Sequence, residues 1–227
     1  MEIVLSVIFG GLITVLTAMW VEYQRRPRLR IYIEDPPVDL PVLAVGLWAG
    51  VAKRHLRVRL RNEPLPRIAR WMQRAAALQC RAEITFHHLN DGQDVFSRAM
   101  AARWAKSPEP IASQILDLAG NVRFQIQDFS RTTIESRIDV YPGEEEILDI
   151  AVRFSDGPDC YGWNNESYFN NWRTPGWKLT PGRYLVRAVV TSSGQKCTEV
   201  LRLVNDLDQL TDFRLLSATR EDRAKLR

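Results

Sequence analysis

Residues 54–62 read R-H-L-R-V-R-L-R-N and alternate without a break, with Leu56, Val58 and Leu60 on one side and His55, Arg57, Arg59 and Arg61 on the other. Successive side chains of a strand point to opposite faces, so a period of two specifies one apolar and one wet face. A helix would scatter the same residues around its circumference. The stretch reads as a half-buried strand of an antiparallel sheet.

The same period recurs outward along the chain. Cys80, Ala82, Ile84 and Phe86 oppose Arg81, Glu83 and Thr85, and residues 28–34 alternate until Pro36-Pro37 stops them. Further alternating or apolar runs lie at 138–140, 147–154, 184–191, 198–204 and 213–216, and Asn90-Asp91-Gly92, Pro142-Gly143, Pro181-Gly182 and Ser193-Gly194 supply turns. About eight short strands of this kind predict a mainly β chain, an antiparallel sandwich. The body is too long for a minimal sandwich, so long loop insertions are expected at 106–135 and 155–178, with a short helix over 67–77. Residues 38–52 are apolar but broken by Pro41; they suit either an extra core segment or a segment lying on a bilayer surface.

One short motif sharpens the class. The run L-T-P-G-R-Y at 179–184 resembles the L-x-P-G-x-Y corner that leads into a late strand of many immunoglobulin-like β-sandwiches. The resemblance covers about a dozen residues and implies that Pro181-Gly182 turns the corner while Tyr184 pins it in the core. It lacks the Cys…Trp…Cys framework of antibody domains and implies no activity, because sandwiches host unrelated functions.

At the N-terminus, residues 3–21 carry no charge and are closed by Glu2 and Glu22. Such a run, at ~1.5 Å per residue, covers roughly 28 Å and predicts a single transmembrane helix. Arg25, Arg26, Arg28 and Arg30 crowd its C-terminal flank, which places the N-terminus outside and the body in the cytoplasm, at the inner membrane. Ser6, Gly10, Thr14 and Ala18 recur every fourth residue, a small-residue face through which two such helices could associate into a homo-oligomer. The expected organisation is an anchor at 1–23, a basic juxtamembrane segment and first strand at 24–37, the sandwich at 38–216, and a polar tail at 217–227.

Composition narrows the chemistry further. The apolar share of 45% and charged share of 26% exclude a disordered or polytopic chain. Three cysteines without a C-x-x-C exclude a disulfide scaffold and agree with a reducing compartment. The cations are 26 Arg against 5 Lys, a ratio that codon bias also produces, so charge alone does not specify a nucleic-acid partner and none is expected. No G-x-S-x-G, Walker A, G-x-G-x-x-G or H-E-x-x-H occurs. His87 and His88 point to opposite sides of a strand and cannot share a metal. Acids at Glu144-Glu145-Glu146 and at Asp206, Asp208 and Asp212 lack a Ca²⁺-loop spacing. No catalysis, metal or cofactor is expected.

Two surfaces remain. Lys53, His55, Arg57, Arg59 and Arg61 leave one strand face at ~6.7 Å intervals, a row suited to an anion such as a nucleotide, or an ordinary sheet face neutralised by a neighbour carrying Glu83. Residues 160–177, C-Y-G-W-N-N-E-S-Y-F-N-N-W-R-T-P-G-W, interleave rings with amides; Tyr161, Trp163, Asn164, Asn165, Tyr168, Trp172 and Trp177 either contact a protein or peptide partner or close the open end of the sandwich. The sequence therefore points to a membrane-anchored, non-catalytic binding or scaffold module, with a membrane-tethered sensor or effector of an anionic ligand as the alternative and an enzyme whose site is assembled from distant residues as the third reading.

Overall fold

The computed structural model describes residues 2–40, 50–69, 71–117, 122–128, 130, 137–170, 172–206 and 208–226. In chain order the elements are α1 (Glu2–Arg25), β1 (Leu29–Ile33), β2 (Val38–Leu40), β3 (Lys53–Asn62), β4 (Ala77–His88), β5 (Met100–Ala101), β6 (Arg103–Trp104), β7 (Ile111–Leu116) and β8 (Val122–Asp128). They continue with β9 (Ile138–Val140), β10 (Glu145–Phe154), β11 (Cys160–Gly162), β12 (Lys178–Leu179), β13 (Gly182–Ser192), β14 (Gln195–Asn205), β15 (Arg214–Ser217) and α2 (Arg220–Lys225).

The chain is mainly β, with two antiparallel sheets. The first is ordered β1-β3-β10-β11-β12, with β2 added to β3 and β6 to β10; the second is β15-β14-β13-β4-β5, with β9 on β4. One apolar core joins them: Leu56, Val58 and Leu60 of β3 and Leu148 and Ile150 of β10 meet Ile84 and Phe86 of β4 and Val186 and Leu201 of β13 and β14. Each fully buried aliphatic or aromatic side chain there contributes about 1.5–3 kcal/mol. The period of two in β3 thus positions its outer face: with the leucines inward, Lys53, His55, Arg57, Arg59 and Arg61 must point away from the core. The corner at Pro181-Gly182 is pinned by Tyr184, buried, whose hydroxyl donates to the carbonyl of Thr180 at 2.8 Å.

The expected transmembrane helix is corrected. A helix does form at Glu2–Arg25, but among the described residues no helix is long and apolar enough to cross a membrane. The anchor, its single-pass topology and the self-association argued within it lose their premise. Thr14 returns its hydroxyl to Gly10 at 2.8 Å, Ala18 lies a turn further on, and the side chain of Ser6 lies outside the described residues. The helix is tied to the body at its C-terminal end, where Ala75 N–H donates to Arg25 O and Arg74 Nη1 to Arg26 O, both at 2.7 Å.

Other expectations meet a different structure. The helix expected at 67–77 is a single 3-10 turn, Arg67–Ala69, since Ala77 already belongs to β4. The loop expected at 106–135 contains the β7–β8 hairpin. Residues 217–227, read as a polar tail, contain α2, held by a Thr219–Asp222 capping box and by Arg202, which grips Asp222 at 2.5 and 2.9 Å. Of the segment 38–52, residues 38–40 form β2 on the edge of β3, and 41–49 lie outside the described residues.

Candidate functional site

The outer face of the first sheet carries the site, and a β-bulge shapes it. The pairing of β10 with β3 shifts register between Asp149 and Ala151. One extra residue lets Ile150 and Ala151 both enter the core while Asp149 and Val152 both stay outside. Strict alternation counted back from Val152 would have turned Asp149 inward. Instead its carboxylate, 1% exposed, accepts from Arg57 Nε at 2.7 Å and from Arg103 Nη1 at 3.4 Å. Arg103 in turn donates to the carbonyls of Ser107 at 2.5 Å and Trp104 at 3.3 Å. Burial pushes the Asp149 carboxyl upward against the two guanidinium groups that favour its charged form.

The bulge also seats the aromatic segment. Trp163 N–H donates to Ile150 O at 3.1 Å, and the chain continues through β11 into a 3-10 turn at Asn165–Asn170. Trp172 then takes φ = 67°, a left-handed conformation that a bulky aromatic disfavours, with its N–H on Ser167 O at 2.7 Å. This turn folds residues 163–170 back as a strap over β3, with Trp172 beyond them. Trp163 sits edge-on to His55 at 4.9 Å between ring centroids and packs on Tyr168 and Trp172; the Lys53 ammonium lies 3.6 Å from the centroid of Trp172. Tyr168 donates to Glu109 at 3.1 Å and faces Arg103. With Val152 and Phe154 these rings form a second, smaller apolar cluster outside the main core.

The two surfaces read from the sequence are therefore one. The strap buries the Lys53–His55 end of the cationic row and leaves the Arg59–Arg61 end open. That open end is neutralised by Glu145, 3.3 Å from Arg59 and 3.5 Å from Arg61, rather than by a strand bearing Glu83, which pairs with Arg81. Within the strap Trp163, Asn164 and Tyr168 are buried, Asn165 is half-buried and Phe169 is exposed, while Tyr161, in β11 before it, and Trp172, beyond it, are half-buried. Trp177 leaves the group: it lies in the main core, with Nε1 donating to Glu166 at 2.9 Å.

His55 is the unusual member. It is 3% exposed, and neither ring nitrogen has a hydrogen-bond partner. Burial, reinforced by Arg57, Lys53 and Arg103, pushes its pKa from 6.5 down to about 3, so the ring is neutral. Lys53 is likewise held below its ordinary value by burial, against the distant pull of Glu109. Among the described residues no three His, Cys, Asp or Glu side chains gather as a metal would require.

Arg103, Glu109 and Asp149 escaped the sequence reading. Only Asp149 left a signal, a lone acid inside the apolar run 147–154. Compared with known proteins, the chain matches no family model, no curated protein and no solved structure.

Proposed function

We propose that this chain is a non-catalytic binding module on an immunoglobulin-like sandwich, and that it engages a protein or peptide partner through the strap-covered outer face of its first sheet. One observation carries the reading: the strap, with Phe169 exposed on it, sets the half-buried Trp172 ring over the Lys53 ammonium at one end of the cationic row of β3. Rings supply large contact area at low entropic cost, and the cations select partners that carry acids between their apolar side chains. The rigid sheet beneath makes the surface preorganised, which favours affinity.

A selection of displayed peptides on the full-length chain tests this. Enriched peptides should combine acidic with apolar residues, and Phe169→Ala and Trp172→Ala should each weaken them about tenfold or more, the loss of a hot spot worth above about 1.4 kcal/mol. Failure to enrich any sequence, or enrichment indifferent to both substitutions, would remove the proposal.

A further inference from the structure

Beneath the proposed partner surface, a buried imidazole without a hydrogen-bond partner lies beside a half-buried ammonium. Lys53 and His55 leave the same face of β3 about 6.7 Å apart. The Lys53 ammonium is half-buried over Trp172, and no described carboxylate lies within ion-pair distance of it. His55 is closed in by Trp163 with both nitrogens unsatisfied. A buried polar side chain left unmet is costly, and a cation beside it suggests that the missing partner is an anion.

The surroundings decide what that partner is. Arg57 and Arg103 face the site from β3 and β6 but are engaged by Asp149, so they lend positive field rather than free donors. Glu109 faces it from the far side, engaged by Tyr168. A metal cation would meet one imidazole among three cationic side chains and be repelled. An apolar ligand would leave both His55 nitrogens as they are. A group with several oxygens meets more of the deficit: one oxygen accepts a hydrogen bond from the ammonium and another from the single imidazole N–H, while a protonated oxygen can donate to the other ring nitrogen.

We propose that Lys53 and His55 form a binding site for a small oxyanion, a carboxylate or a phosphate, held beneath Trp163 and Trp172. The site does not depend on the partner reading, since a small anion can occupy it with or without a partner on the outer surface.

The test titrates the full-length chain, labelled with ¹⁵N-histidine, with sodium phosphate and separately with sodium succinate at constant ionic strength. The readouts are tryptophan fluorescence and the ring ¹⁵N signals, with that of His55 assigned by its loss in His55→Gln. Saturable binding below about 10 mM that moves the His55 signal is expected with one anion or both; which of them binds identifies phosphate or carboxylate as the source. Lys53→Met, which keeps the side-chain stem, should weaken binding at least tenfold. Lys106→Met, at an exposed ammonium paired with Glu146, should leave it unchanged. Should Lys53→Met not fold, as judged by its melt, His55→Gln takes its place in the affinity comparison. The proposal is overturned if neither anion saturates, if the shifts bypass His55, or if the two site variants bind as the unmodified chain does.

Discussion

Two buried histidines, one on each sheet, show how differently this fold treats the same side chain. His87, on β4 of the second sheet, is 7% exposed and has a partner for each nitrogen: Nε2 lies 2.7 Å from Thr85 Oγ1, and Nδ1 lies 2.8 Å from Asp94 Oδ1 and 3.2 Å from Gly92 O. His55, on β3 of the first sheet, is buried at least as deeply and has none. The second sheet is also the more regular. Strands β13 and β14 pair over eleven successive residues without a shift, while β3 and β10 are broken by a bulge that carries a buried carboxylate. Ordinary folding satisfies its buried polar groups, as it does around His87. Where it leaves one open beside a bulge, strained backbone and buried charge, function is the better account than packing.

The comparison can be broken most forcefully at the carboxylates. Asp149→Ala strands the buried Arg103 guanidinium and the half-buried Arg57 and should cost about 4 kcal/mol, within the range for a broken buried pair. For a chain of this size that lowers the melting temperature by about 10 °C. Asp94→Ala, at an exposed acid beside His87, should cost less than about 1 kcal/mol. Equal losses in a thermal melt would erase the distinction between the two regions.

A smaller effect separates the rings above His55. Trp163, 4% exposed, packs on His55, Tyr168 and Trp172, and Trp163→Ala should cost about 3 kcal/mol. Trp172, half-buried, should cost about 1 kcal/mol on truncation. Denaturant midpoints that rank Trp172 above Trp163 would mean that the strap is held from its outer end rather than from the bulge.

The last effect is a slope. The His55 pKa is depressed when folded, so its contribution is fully present above the unfolded value near 6.5 and is lost as pH falls toward about 3. Across that window the unfolded chain binds a proton that the folded chain refuses, and stability declines by up to about 1.4 kcal/mol per pH unit. Replacing His55 by Leu should flatten this acid limb in a series of melts. The same change at His87 should flatten it less, because Asp94 and the Gly92 carbonyl partly offset the burial that lowers its pKa. An acid limb unaltered by His55→Leu would mean that the ring is solvated in solution.

Much of the scaffold was legible in residues taken a few at a time. The alternation of Leu56, Val58 and Leu60 places them in the core and its intervening cations outside, because a strand's side-chain period is fixed by backbone geometry and needs no partner to be read. Tyr184 was placed by a local motif for the same reason, since its hydroxyl closes on Thr180, four residues away. The failures share the opposite property. The transmembrane reading weighed hydropathy along one segment. The helix expected at 67–77 weighed propensity, which tertiary pairing of Ala77 onward overrode. The tail at 217–227 looked polar and unbound, yet Asp222 finds Arg202 across the sheet.

The site divides along the same line. Sequence by itself determined that β3 would present a cationic row and that 160–177 would present rings, since composition and period are local. That the rings lie on the row was decided by the bulge at Ile150, which no period announces, and by the left-handed turn at Trp172. Pairing Asp149 with Arg57 and Arg103 joins residues 92 and 46 positions away along the chain. Such contacts are chosen by the global minimum of packing and desolvation, in which a buried charge must find whichever opposite charge the fold brings near.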